Sequence, residues 1–456
     1  MSRHNPYILL YILADGQHIG VAVHTKKHLS FTALRKSIGE HIDRIDDHRQ
    51  SGKVDFSLHD CLMSALAMMF FQDPSILSFQ RRMQDRMQCN NLKTMFGVES
   101  IPSDDVLRKT IDPVATKDLY PCFSILFHHL QRGKQLAPYQ LDSDHYLIAL
   151  DGSQYFSSEK IHCPSCLTYK HSKKKLRYSH QILQAVMLAP GMRQVIPLAP
   201  EPIIKADGDT KNDCERSAGK RLVGKIRATH PKLKMMITGD GLYSNQPFID
   251  TLKANHMSYV LVAKPTDHKI LFQWVEELDG LGSVEHLELV DEKGRRHHYR
   301  WVNQVPLNGT RDADQVSFFE YWLIVDQKAN YHNSWVTDQT VSRQNIVELV
   351  KAGRARWKIE NETFNTLKNQ GYHLEHNFGH GSQHLSNNFF ALNLLAFFIH
   401  QILELCDRGY QHCRSKFSSR KEYWNILRGV IQIMLFRNFE HLLRNVADPP
   451  EVWAPD

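Results

Sequence analysis

Cysteine is scarce, with eight in 456 residues, too few to hold a chain of this length together as a disulfide scaffold. Apolar runs are short. The longest, around Leu58–Phe71 and Phe389–Ile402, are interrupted by polar residues or fall below the roughly 20 residues that cross a bilayer, so no membrane span is expected. The first residues lack the basic, apolar and small-residue order of a secretory leader, and the cytoplasm is the expected location. Neither sign of charge dominates: 56 Lys and Arg stand against 49 Asp and Glu, a net +7 that leaves 27 histidines uncounted. That modest basic bias suits a polyanionic partner without requiring one. Apolar content of 42% and charged content of 23% are ordinary for a globular protein, and the length allows roughly two to four domains around a substantial core.

Proline and glycine are also missing from one telling stretch, Arg354–Lys368, which therefore reads as a helix. On a 3.6-residue period Arg356, Glu360, Phe364 and Lys368 share a face. A carboxylate between two cations, with an aromatic turned to the core, presents one metal ligand to a phosphate-rich substrate. Glu362 lies about 200° round the helix from Glu360, so only one of the two faces a shared site. The plainer alternative is an amphipathic surface helix with an i,i+4 Arg/Glu pair.

Taken in order, residues 1–50 read as a lead-in, with a short apolar run at Tyr7–Leu13 and a mixed, charged stretch at Leu29–Asp47. Residues 51–135 read as a helical N-terminal domain. Ser57 caps an apolar helix that Pro74 stops, and Ser103 with Asp104 and Asp105 opens another where the macrodipole favours acids. From 146 to 263 the order is β-β-β-α-β-α-β, with strands at Tyr146–Leu150, Tyr178–Leu188, Gln194–Leu198, Met235–Gly239 and Tyr259–Ala263. Asp151-Gly152 and Asp240-Gly241 follow two of these strands directly. If those strands are adjacent and parallel, both carboxylates emerge at the sheet edge where ligands bind, and two convergent carboxylates suit a divalent cation. The glycines would let the backbone leave the sheet sharply. Residues 140–280 thus form the first part of a core, 281–337 an inserted β-rich subdomain, 338–405 the core's completion, and 406–456 a helical C-terminal region. His384–Leu405 and Lys421–Asn445 are long helices that pack on the sheet or form a dimer contact.

Cys163, Cys166 and His171 make a Cys-x₂-Cys-x₄-His run, the start of a structural zinc site. The nearest candidates to complete it are His162, His180 and Cys214; otherwise the thiols are reduced and unligated in a β-hairpin. The basic run Lys170–Arg177 is either a solvated hairpin tip or a DNA contact. Asp213-Cys214-Glu215-Arg216 reads as a helix start of structural role, and the histidines His297-His298 and His373, His376 and His380 as surface or DNA-proximal residues.

An aspartate ending a first strand, an aspartate ending a fourth, a β-rich insertion and then Trp357-Lys358-Ile359-Glu360 with Phe364 and Lys368 resemble the DDE transposases of bacterial insertion sequences, in the insertion-sequence-4-like branch. The resemblance covers roughly residues 100–400. It implies an α/β fold: a ribonuclease-H-like mixed sheet flanked by helices, with an inserted β-rich subdomain and helical N- and C-terminal regions. It implies Asp151, Asp240 and Glu360 (Glu362 as fallback) as catalytic ligands of two Mg²⁺ ions, for which Mn²⁺ could substitute, Asp151 bridging both. Arg356, Lys368 and, with them, Lys173, Lys174 and Lys175 would contact DNA. The implied activity is hydrolysis at transposon ends and 3′-OH strand transfer into target DNA, by a homodimer on double-stranded inverted repeats in the bacterial nucleoid. A nuclease without strand transfer and a non-catalytic DNA-binding protein are the alternatives. Two departures stand out: Gly353 occupies the family's tyrosine position, and Lys368 follows Glu360 by eight residues where the family has seven.

Overall fold

The computed structural model describes residues 27–50, 52, 54–83, 90–169, 175–205 and 211–449, with side chains from Cys214 onward in the helix that opens at Lys211. Tyr7–Leu13 lies outside these residues. The described chain is a mixed α/β structure.

Ordered structure begins earlier than expected. Helix α1 (Phe31–Ile42) is capped by Ser30 and buries Phe31, Leu34, Ile38 and Ile42, so part of the 1–50 lead-in is core. Its apolar residues recur at helical spacing between charged ones, a narrow stripe that low overall apolarity conceals. Helix α2 (Leu58–Phe70) starts on Ser57, whose hydroxyl accepts from the Asp60 N–H at 2.9 Å. Helices α3 (Ile76–Met83), α4 (Asn91–Phe96), α5 (Asp104–Ile111, capped by Ser103) and α6 (Pro121–Arg132) follow.

The sheet then begins with β1 (Tyr146–Ser158), β2 (Leu167–Tyr169), β3 (Arg177–Leu188), β4 (Ile196–Pro197) and β5 (Glu201–Ile203). Helix α7 (Lys211–Thr229), β6 (Met235–Gly239), α8 (Gln246–Ala254) and β7 (Ser258–Val262) come next. β3 runs antiparallel to β1, whereas β6 pairs parallel with β1 and β7 parallel with β6. Apolar runs such as Met235–Gly239, fully buried, are what a strand flanked on both sides requires.

After α9 (Lys269–Gly280), β8 (Glu285–Val290), β9 (Arg296–Pro306), β10 (Gln315–Val325) and β11 (Lys328–Thr337) continue the same sheet. β11 pairs antiparallel with β7 through Trp335↔Val262 and Val336↔Leu261, so residues 281–337 form no sheet of their own. Among the described residues the sheet has eleven strands in the order β2-β3-β1-β6-β7-β11-β10-β9-β8, with β4 and β5 against β3.

Helix α10 (Ile346–Ala355) is followed by a π-helical turn (Ile359–Phe364) and α11 (Asn365–Asn369). Helix α12 (Leu385–Cys406) has the length and apolarity of a membrane span, but 83% of its apolar window is buried inside the protein. Two of its polar residues have internal partners: Asn388 donates to the Ile111 and Val114 carbonyls at 2.9 and 2.8 Å, and Asn393 to that of Tyr372 at 2.7 Å. Beyond α13 (Arg408–Ser415), the helix expected over Lys421–Asn445 is two, α14 (Arg420–Ile433) and α15 (Phe439–Ala447), because Asn438 caps a new start. The Phe70 ring lies 5.3 Å from Trp424 and 5.2 Å from Phe439, so N- and C-terminal helices share a core.

Asp112 ties the first helices to α12. Its carboxylate accepts the backbone N–H groups of Ser382, Gln383, His384 and Leu385 at 2.9–3.1 Å. Burial pushes this carboxyl up, but the N–H donors outweigh it and the net value is lowered. Its contribution to stability is therefore present above the ordinary carboxyl range and lost as pH falls through the lowered value. Asp112→Ala is expected to cost about 2 kcal/mol in urea unfolding near neutral pH, with a smaller difference from wild type in acid.

Candidate active site

The parallel pairing of β1 with β6 runs from Tyr146↔Met235 to Ala149↔Thr238. Asp151 and Asp240 thus lie just past the last parallel pair, at one edge of the sheet. Asp151 is nevertheless inside its strand, because β1 continues to Ser158 and Asp151 pairs with Gln184 of β3. The expected sharp exit at Gly152 does not occur. Gly152 makes room instead: a Cβ there would lie 2.8 Å from the Glu215 carboxyl. β6 does end at Gly239, and the Leu242 N–H donates to Asp240 Oδ1 at 2.9 Å, closing the turn.

These carboxylates line a cleft of about 650 Å³ bounded also by Arg216, Lys264 and Asp267. Glu215 comes from α7 and accepts a hydrogen bond from the Tyr243 hydroxyl at 2.9 Å. Burial pushes the Asp151 carboxyl up to about 7; Arg356 opposes the rise, and Glu360, Glu215 and Asp240 add to it. Four carboxyl groups therefore crowd one place, with a guanidinium beside them.

The glutamate helix is not one continuous α-helix. α10 ends at Ala355, and Glu360 and Glu362 both fall in the π turn. A π turn accommodates one extra residue within a helix, which matches the additional residue between Glu360 and Lys368. Arg356 still reaches Glu360 at 2.8 Å. Glu362 lies 3.9 Å from Arg193 and acts on Lys358, so the two glutamates face different neighbours.

Gly353 owes its identity to Trp335, the buried indole at the end of β11. A Cβ at 353 would sit 2.6 Å from Trp335 Nε1, and that ring also stacks on Phe319 at 5.3 Å. A tyrosine has no room there. Even Gly353→Ala is expected to lower stability by about 1–3 kcal/mol through overpacking, measured by thermal or urea unfolding.

The described residues among the expected DNA contacts have different neighbours. Arg356 adjoins the carboxylates, Lys368 is paired with Glu375 at 3.0 Å, and Lys175 is exposed just before β3. Lys173, Lys174 and His171 lie outside the described residues. Cys163 and Cys166 are buried beside His180 and His380, while His162 stacks on Tyr178. Glu215, Arg216 and Lys264 were not anticipated as site residues. Glu215 and Arg216 sat in a stretch that reads as an ordinary acidic helix start, and Lys264 lies two residues past the end of β7, close to the kind of strand-end position that already marked Asp240.

Carboxylates gathered past the ends of neighbouring parallel strands, with cations beside them, are a donor set suited to hard cations. Residues 163–398, just over half of the chain, match the family of the transposase DDE domain, and the chain belongs to that family. The match starts beyond Asp151. No match was found among curated proteins.

Proposed function

We propose that the chain is a DNA transposase of the insertion-sequence-4-like branch that cleaves transposon ends and joins the freed 3′-OH to target DNA. Asp151, Asp240 and Glu360 are its catalytic carboxylates, carried on a ribonuclease-H-like core with helical regions before and after it, and it works in the cytoplasm as a homodimer on its terminal repeats. The observation that carries this reading is the shared cleft of Asp151 and Asp240, with Glu360 near enough to raise the Asp151 carboxyl.

The donor set fits a divalent cation. Clustered carboxylates are ligands for hard cations, and the Asp151 carboxyl is raised chiefly by burial, with Arg356 opposing the rise and Glu360, Glu215 and Asp240 adding to it. Mg²⁺, or Mn²⁺ in its place, held by Asp151, Asp240 and Glu360 would activate the attacking oxygen and stabilise the leaving one. The chain's own residues provide the rest. Arg356 holds Glu360 in position through their 2.8 Å ion pair, and Tyr243 orients Glu215 by donating its hydroxyl proton. Arg216 and Lys264 supply positive charge at the cleft wall, suited to a phosphate backbone that is gripped without being read.

The test is a duplex carrying the element's own flanking inverted repeats, incubated with the protein and Mg²⁺ beside an unrelated target duplex. Cleavage at the repeat end followed by covalent joining supports transposition. Cleavage without joining would leave a nuclease, and binding without cleavage would leave a DNA-binding protein.

A further inference from the structure

We propose that Cys163, Cys166, His180 and His380 bind a structural zinc ion. The assignment is independent of the carboxylate site.

The four residues come from three places in the fold. Cys163 and Cys166 sit in the turn before β2, closed by the Cys166 N–H to the Cys163 carbonyl at 3.1 Å. His180 is on β3, opposite Phe156 of β1. His380 lies between two glycines in the segment linking α11 to α12 and is 214 residues from Cys166. All four are buried, and their ligand atoms lie within 4.8 Å of one another.

The spacing decides between ligands and a merely packed cluster. Tetrahedral zinc with Zn–S of about 2.3 Å and Zn–N of about 2.0–2.1 Å sets its sulfurs roughly 3.8 Å apart and each sulfur roughly 3.5 Å from each nitrogen. Here the two Sγ atoms are 3.8 Å apart. The Nε2 of His180 lies 3.3 Å from Cys163 Sγ and 3.4 Å from Cys166 Sγ, and the Nε2 of His380 lies 3.3 Å from Cys166 Sγ. A disulfide would need about 2.05 Å between the sulfurs. Two thiolates and two neutral imidazoles balance a divalent charge, which suits a buried site. The Cys163 N–H also donates to Cys166 Sγ at 3.4 Å, and the Phe156 ring covers His380 at 4.3 Å.

Such an ion would fasten the base of the β2–β3 connection, which carries the Lys173–Lys175 run, to the segment following the glutamate helix. That segment is also held by Asp112, which accepts the N–H groups of Ser382 and Gln383, two and three residues beyond His380. The ion would thus join elements that no continuous backbone ladder connects.

The test is elemental analysis of the full chain, purified without a metal-affinity step in chelator-free buffer, together with cobalt(II) exchange. The expected result is about one zinc per chain. Cys166→Ser and His380→Ala should each retain under about a tenth of it, whereas His171→Ala should retain it all. The wild-type cobalt form is a second readout that does not depend on how those variants fold: it should show thiolate charge-transfer absorption and the intense visible bands of tetrahedral coordination. Wild-type protein that holds no zinc and gives no such cobalt spectrum overturns the proposal. So does zinc that persists in both variants, or a Cys163–Cys166 disulfide in metal-free protein.

Discussion

Asp151→Asn protein is expected to bind the terminal inverted repeats as tightly as the wild type and to leave them uncut, with a loss of cleavage of roughly 10³-fold or more. Asparagine keeps the size of the side chain and its place opposite Gln184, so the strand should be undisturbed. It removes the charge. A 10³-fold loss corresponds to about 4 kcal/mol of transition-state stabilisation, the scale on which a single preorganised electrostatic contact acts. Asp240→Asn should behave likewise. DNA affinity is governed by cations contacting phosphates, and neither substitution removes one. A variant that still cuts at wild-type rate would sink the assignment of the site.

The same assay separates the two glutamates. Glu360 is held by Arg356 and is the carboxylate with the greatest influence on Asp151, ahead of Glu215 and Asp240. Glu362 has Arg193 and Lys358 for neighbours. Glu360→Gln should therefore abolish cleavage, and Glu362→Gln should change it by less than about tenfold, as expected for a residue outside the reacting centre. The reverse outcome would move the ligand two residues along the π turn.

How much of this was legible in the sequence depends on the range of the signal. The caps at Ser57 and Ser103, the fully apolar strand Met235–Gly239 and the aspartate that follows it are encoded within a few residues and were read as they stand. The convergence of Asp151 and Asp240 was legible on one condition, that their strands be adjacent and parallel, and β1 and β6 are so paired. The continuation of β1 past Asp151 was not legible, since Gly152 carries the same local signal whether the chain turns away or another carboxylate approaches. The π turn was hidden for a related reason: inserting one residue leaves composition untouched and shifts only the helical phase. Of the two histidines in the cluster, His180 was among the nearby candidates, whereas His380 was read as a surface or DNA-proximal residue. His180 is on a strand and His380 in a distant loop, and only the folded sheet brings them to the Cys-x₂-Cys turn. The expected Cys-x₂-Cys-x₄-His run shares its two thiols with the buried cluster, and His380 joins them only through the fold.

Without divalent cation, the wild type is expected to lose stability relative to Asp151→Asn as pH rises from about 4 to about 7. The Asp151 carboxyl is pushed up to about 7 from 3.8, chiefly by burial, so the folded state holds a proton that the unfolded state has released. Its contribution is complete below the unfolded value, declines above it, and is gone once pH passes about 7. The full swing is on the order of 4 kcal/mol for a shift of this size. Buried histidines work in the opposite direction. His230, held down to about 4 by burial, adds stability as pH rises, so the difference between wild type and Asp151→Asn is the informative quantity. Thermal unfolding of both proteins from about pH 4 to about pH 8, with and without Mg²⁺, provides it. A proton and a cation compete for the same carboxylate, so Mg²⁺ should stabilise the wild type most above about pH 7 and Asp151→Asn little at any pH. Parallel curves for the two proteins would mean that Asp151 ionises in the fold at its ordinary value, and the reading of a buried, proton-holding carboxyl would fail with it.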